Sequence, residues 1–143
     1  MSVFSSDHTS GSTQVAGAFL AELERWLATN ISTSAVALRA ALLLHLRATQ
    51  AAQPTMALIH QFAARALDVA DTGVRRGDSA TELRTHVARS CATERDDLAT
   101  STKAVARQAL ALATEREAWI ATLSTSTAVR DAFLAAHRAG LAP

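Results

Sequence analysis

Between Gly77 and Gly140 the chain contains neither glycine nor proline. These two residues break regular structure most strongly, one through backbone freedom and the other through its fixed φ and missing N–H. A stretch of this length without them must run as long helix or turn on weaker signals. Asp78 or Ser79 can cap a helix at its start, and Glu82 stands where a capping box needs a carboxylate. Leu83, Val87, Cys91, Leu98, Val105, Ala109 and Leu112 then keep one face. The pattern predicts one helix to about Thr114, roughly 50 Å long at 1.5 Å per residue. Thr100, Ser101 and Thr102 mark where it could break, because hydroxyl and β-branched residues weaken helix.

The rest of the chain also reads as helix. Residues 1–12 are rich in serine and threonine and are expected to be a flexible N-terminus. Val15, Phe19, Leu23, Trp26 and Leu27 recur at helical spacing and predict a first helix over residues 13–29. Residues 30–33 break it, and Ser32, Thr33 or Ser34 can cap the next. The second helix, residues 34–49, is apolar nearly all round, with Val36, Leu38, Leu42, Leu43, Leu44 and Leu46. Such a helix belongs at the centre of a bundle. Pro54 is expected to open a third helix with a buried stripe of Ile59, Phe62, Ala63, Ala66, Leu67 and Ala70. Residues 72–78, with Gly73 and Gly77, read as the main loop. Residues 119–123 have the composition of a strand but no second strand to pair with, so no intrachain sheet is expected. Residues 127–139 are again helical, ended by Gly140 and Pro143.

The expected fold is therefore all-α: a helical bundle of four to six helices including one long helix, with no complete α/β domain. Residues 13–143 form a single helical domain. At 143 residues with 49% hydrophobic and 19% charged side chains, the chain can bury a real core. A formal net charge of +1 gives no strong footprint for nucleic acid or acidic lipid, and with no tyrosine there is little from which to build a base-stacking platform. The longest apolar run, residues 40–44, is far short of the ~20 residues that cross a bilayer. The expectation is no direct nucleic acid and no membrane. The polar N-terminus lacks the order of a signal peptide, and a single cysteine suits a reducing compartment, so the chain reads as cytoplasmic.

Chemistry-bearing residues are sparse. His8, His45, His60, His86 and His137 include no pair at i, i+4 spacing, and no CxxC or HExxH occurs, so no metal or other cofactor is expected. Cys91 lies on an apolar stripe and reads as a small core residue. The run Ser124, Thr125, Ser126, Thr127 would form an anion-binding turn if a strand preceded it and a helix followed; otherwise it only caps the helix. Glu94, Arg95, Asp96 and Asp97, and Glu115, Arg116 and Glu117, read as solvated faces with i, i+4 pairs.

Two short stretches about 65 residues apart carry a resemblance. Gln53-Pro54-Thr55-Met56-Ala57 is similar to an Arg-Pro-Thr stretch, and Ile120-Ala121-Thr122-Leu123-Ser124 with Thr127-Ala128-Val129 to an Ile-Leu-Thr-His-Ser strand and its helix. Ser34-Ala35-Val36-Ala37 before Leu42-Leu43-Leu44 resembles an early family helix. The family is that of the alpha, beta and delta subunits of translation initiation factor 2B and the related isomerases of methylthioribose-1-phosphate and ribose-1,5-bisphosphate. The resemblance covers about residues 34–140 and is to the N-terminal helical half. It implies a non-catalytic interaction or assembly domain, with a protein partner or self-association. The alternative it implies is the N-terminal part of a sugar-phosphate isomerase, with Ser124, Thr125, Ser126, Thr127 and Gln53 facing a sugar phosphate or other anion. Gln53 stands where the isomerases carry an arginine, and Leu123 where they carry histidine or tyrosine. The family's Rossmann-like half, with its catalytic cysteine and aspartate, has no counterpart here. A third reading is a helical interaction protein unrelated to that family.

Overall fold

The computed structural model describes residues 11–112 and 127–140. They form five helices: α1 (Ser12–Thr29), α2 (Ala35–Ala52), α3 (Ala57–Arg76), α4 (Ala80–Leu112) and α5 (Thr127–Arg138). There is no strand among the described residues. The fold is an all-α bundle with one long helix. The expectation for residues 119–123 lies outside the described residues.

Helices α1 to α4 run alternately up and down. Asp71 near the end of α3 meets Arg39 near the start of α2 at 2.7 Å, and Arg65 of α3 pairs with Glu94 of α4. Arg84 near the start of α4 donates to the carbonyls of Asn30 and Ser32 at 3.0 and 3.1 Å, holding the α1–α2 corner. α4 packs against α1, α2 and α3, and its stretch from Thr100 to Arg107 lies beside Asp131 of α5. The core is aliphatic, with Phe19 and Phe62 its aromatic members.

Each helix end has a local cause. Asn30 Oδ1 accepts from the Ser32 N–H at 2.9 Å, which turns the chain out of α1. Ser34 is the cap of α2, accepting from the Ala37 N–H at 3.2 Å. The capping box of α4 is present: the Ser79 N–H donates to Glu82 Oε2 at 2.8 Å, and the Glu82 N–H to Ser79 Oγ at 3.2 Å. α4 runs without a break through residues 100–102, where the Thr102 hydroxyl donates to the Leu98 carbonyl at 2.8 Å instead of competing for the ladder. α5 ends one residue before its expected end, and Gly140 follows at φ +69°.

Four expectations need correction. Pro54 does not open α3; it lies in a turn after α2, in which the Met56 N–H donates to the Gln53 carbonyl at 3.2 Å, and α3 begins at Ala57. Residues 72–78 are mostly helix, because α3 runs on to Arg76 and closes only at Gly77, at φ +80°. There the Asp78 N–H donates to the Gly73 carbonyl and the Gly77 N–H to that of Val74, a Schellman ending. Gly73 is buried inside the helix for a packing reason: a Cβ there would lie 2.5 Å from Leu83 Cδ1 and 2.7 Å from Asp78 Oδ2. The expected face of α4 fails at Val105: Leu83, Val87 and Cys91 are buried and Leu98 packs against the core, but Val105 is 51% exposed while Ala106 beside it is buried, and the side chains of Ala109 and Leu112 lie outside the described ones.

The fourth correction concerns α2. Its inner stripe is Ala35, Leu38, Leu42, Leu46 and Thr49. Leu43 is only half-buried, while Val36 and Leu44 are 66% and 68% exposed. A helix at the rim of a four-helix arrangement has neighbours on one side only, however apolar its far side is. The central position belongs to α4.

Candidate functional site

Of the residues expected to face an anion, Ser124, Thr125 and Ser126 lie outside the described residues and Thr127 is the first residue of α5. Gln53 ends α2 at the α2–α3 corner and is 4% exposed, with its N–H donating to the Gln50 carbonyl at 3.2 Å. It sits beside a local network in which Gln50 and His60 side chains meet at 3.2 Å and His60 Nε2 is 3.1 Å from the Pro54 carbonyl. Gln53 therefore belongs to a corner of the bundle, whereas Thr127 opens a helix packed along α4.

A polar groove of about 420 Å³ runs between α3 and α4, walled by Asp68, Thr72, Arg76, His86, Arg89 and Ser90. At its end Arg76 Nη2 donates to Asp78 Oδ2 at 2.7 Å and lies 2.8 Å from His86 Nδ1, itself 2.9 Å from the same carboxylate. The neutral ring can accept from Arg76; the protonated ring can only donate, and it donates to Asp78. The Arg76 hydrogen bond, opposed by burial and helped by His86, holds the Asp78 carboxyl below its usual range. The arrangement is a clasp across the α3–α4 corner, and Asp68 places a carboxylate in the groove wall. Among the described residues no three His, Cys, Asp or Glu side chains come together as a metal site would require.

Cys91 is 2% exposed, and burial pushes its thiol up to about 12, so it packs as a hydrophobe and is no nucleophile at neutral pH. The charges around it act across helices rather than along α4: Glu94 pairs with Arg65 of α3, and Arg95 with Glu24 of α1 at 2.7 Å. Residues 115–117 lie outside the described residues.

The outer face of α2 is different in kind. Val36, Ala37, Ala40, Leu44, Arg47, Ala48 and Ala51 are all exposed. At 100° per residue they share a sector of about 120°. Arg47 is the one charged side chain in that sector, and α2 contains no acidic residue at all. From Val36 to Ala51 the face is ~22 Å long at 1.5 Å per residue. One flank is held by the Arg39–Asp71 pair, whose hydrogen bond keeps the Asp71 carboxyl low. The other carries Trp26 stacked on His45, ring centroids 4.7 Å apart and planes 12° from parallel. Burial lowers the pKa of His45 against the pull of Glu22. Scattered exposed apolar residues are normal, but a continuous stripe on one helix marks a surface that another molecule can cover. Every residue of the stripe was visible in the sequence; its outward orientation was not, because the same apolar letters serve an inner helix equally well.

No helix among the described residues is long and apolar enough to cross a membrane. Comparison of the chain with known protein families, with curated proteins and with solved structures finds no match in any of the three.

Proposed function

We propose that this chain is a non-catalytic helical interaction domain of the cytoplasm, and that the outer face of α2 is the surface through which it works. The observation that carries the reading is the stripe of Val36, Ala40, Leu44 and Ala48, open to solvent on a helix whose inner stripe already supplies the core. Leaving such a face in water forgoes the gain of roughly 25 cal/mol per Å² that covering it brings. The bundle beneath is braced by pairs between helices, so the face is presented on a fixed support. The reading agrees with the resemblance to the helical half of factor 2B subunits, which contacts partner proteins. The isomerase alternative rests on Ser124, Thr125, Ser126, Thr127 and Gln53, and Gln53 does not line the groove between α3 and α4, where Arg76 and His86 are engaged at Asp78.

The experiment is site-specific photo-cross-linking in cells, with a benzoyl-phenylalanine at position 44 and a control at the exposed Asp96. The reading expects a discrete protein adduct from position 44 and none from position 96. Equal or absent adducts at the two positions would remove the ground for the reading.

A further inference from the structure

The face of α2 repeats large and small side chains at a spacing of four: Val36, Ala40, Leu44, Ala48. Residues four apart form one ridge along a helix. A second copy laid antiparallel, with the two-fold axis at the level of residue 42 and the helices crossed at about 50° so that the two inclined ridges run together, sets Val36 against Ala48 and Ala40 against Leu44, and symmetry repeats both pairings. Every large side chain then meets a small one. A parallel copy in register would place Leu44 on Leu44 and Ala40 on Ala40, leaving bulk against bulk and gap against gap. We infer that the occupant of this face is a second copy of the same chain, docked antiparallel about residue 42. The inference rests on the interaction reading above and names its partner.

Charge permits this register. The sector contains Arg47 and no carboxylate. In the antiparallel register Arg47 faces Ala37 of the other copy, and the two Arg47 positions lie ~15 Å apart along the axis, ten residues at 1.5 Å each. That exceeds the ~8 Å screening length at physiological salt, so the like charges cost little. In the parallel register they would stand side by side. The self-complementary patch is the isologous type that closed two-fold dimers require. A single-helix contact of this length falls at or below the ~1,200 Å² lower end of stable interfaces, so the association is reversible.

Disulfide mapping tests both partner and register. Ala40→Cys and Leu44→Cys are made separately in the full chain; Cys91 is buried and stays out of exchange. When the two variants are mixed under mild oxidation, the mixed 40–44 dimer should exceed either same-site dimer by about tenfold. Same-site pairs are offset by ~6 Å along the axis, four residues at 1.5 Å each, which takes their Cα atoms past the ~7 Å reach of a disulfide. Dominant 40–40 and 44–44 dimers would overturn the register in favour of a parallel one. No cross-linked dimer in any mixture, together with a position-44 photo-adduct to a different protein, would overturn self-recognition and leave the interaction reading standing. No disulfide and no photo-adduct would sink both.

Discussion

The three successive leucines of α2 should differ sharply when each is cut to alanine. Leu42 is fully buried, Leu43 half-buried and Leu44 68% exposed. Removing a buried leucine costs the lost transfer energy plus the cavity left behind, together ~2–5 kcal/mol. Leu42 lies in a stripe shared with Leu38 and Leu46, both at 0% exposure, so little can collapse into the space and about 3 kcal/mol is expected. Leu43→Ala should cost about 1 kcal/mol, in proportion to its burial. Leu44→Ala should stay within ~0.5 kcal/mol, the range of ordinary surface changes. At about 4 °C per kcal/mol for a domain of this size, the melting shifts are roughly 12, 4 and under 2 °C. Helicity followed by circular dichroism at low micromolar concentration, where a weak dimer is dissociated, reads all three. By the same logic Leu42→Asp should abolish the cooperative melt while Leu43→Asp preserves it. If Leu44→Ala cost as much as Leu42→Ala, α2 would have to be rotated about its axis, and its apolar outer face would not exist.

Gly73→Ala adds a helix former worth up to ~1 kcal/mol but drives a Cβ against Leu83 and Asp78, where overpacking costs ~1–3 kcal/mol; a net loss in the urea midpoint is expected. Ser79→Ala should remove about 1 kcal/mol by breaking the α4 capping box, with Ser79→Asp restoring most of it in the same melts. Because burial lowers the pKa of His45, the unfolded chain binds its proton first as pH falls below the ordinary histidine value of about 6.5. Stability should therefore decline between about pH 6.5 and the lower folded value, and less so in His45→Gln. Fluorescence of Trp26 in a Trp119→Phe background should change as pH falls through the lower folded value, through the stack with His45.

The long helix could be read from the sequence because its signals are local. The missing glycine and proline after Gly77 and a serine three residues before a glutamate each act within a few residues of themselves, as Gly140 does at the end of α5. The buried stripes of α1 and α3 were legible for the same reason, since Phe19, Leu23 and Leu27, and Ile59, Phe62, Ala63 and Ala66, recur at helical spacing. Gly73 misled because glycine marks turns and close approaches equally, and only the position of Leu83 across the interface tells which applies. Pro54 misled by three residues because the corner at Gln53 to Met56 takes a turn before the helix starts. For α2, with Val36, Leu38, Leu42, Leu43, Leu44 and Leu46 spread round the axis, periodicity cannot decide which stripe faces in. That choice is made by Phe19, Ile59, Leu83 and the other residues of the core, and it is also what creates the candidate site. The alternating bulk of the outer stripe was present in the sequence, but it gained meaning only once Ala40 and Ala48 were found exposed.

Sedimentation velocity over a concentration series tests the central claim, that the outer face of α2 joins two copies of this chain. The native chain should move from its 15.1 kDa monomer toward twice that mass as concentration rises into the high micromolar range. Leu44→Lys, which places two further charges in the interface without touching the core, should remain monomeric with an unchanged melt. A native chain that stays monomeric throughout, or a Leu44→Lys variant that associates as strongly as the native one, would contradict the claim.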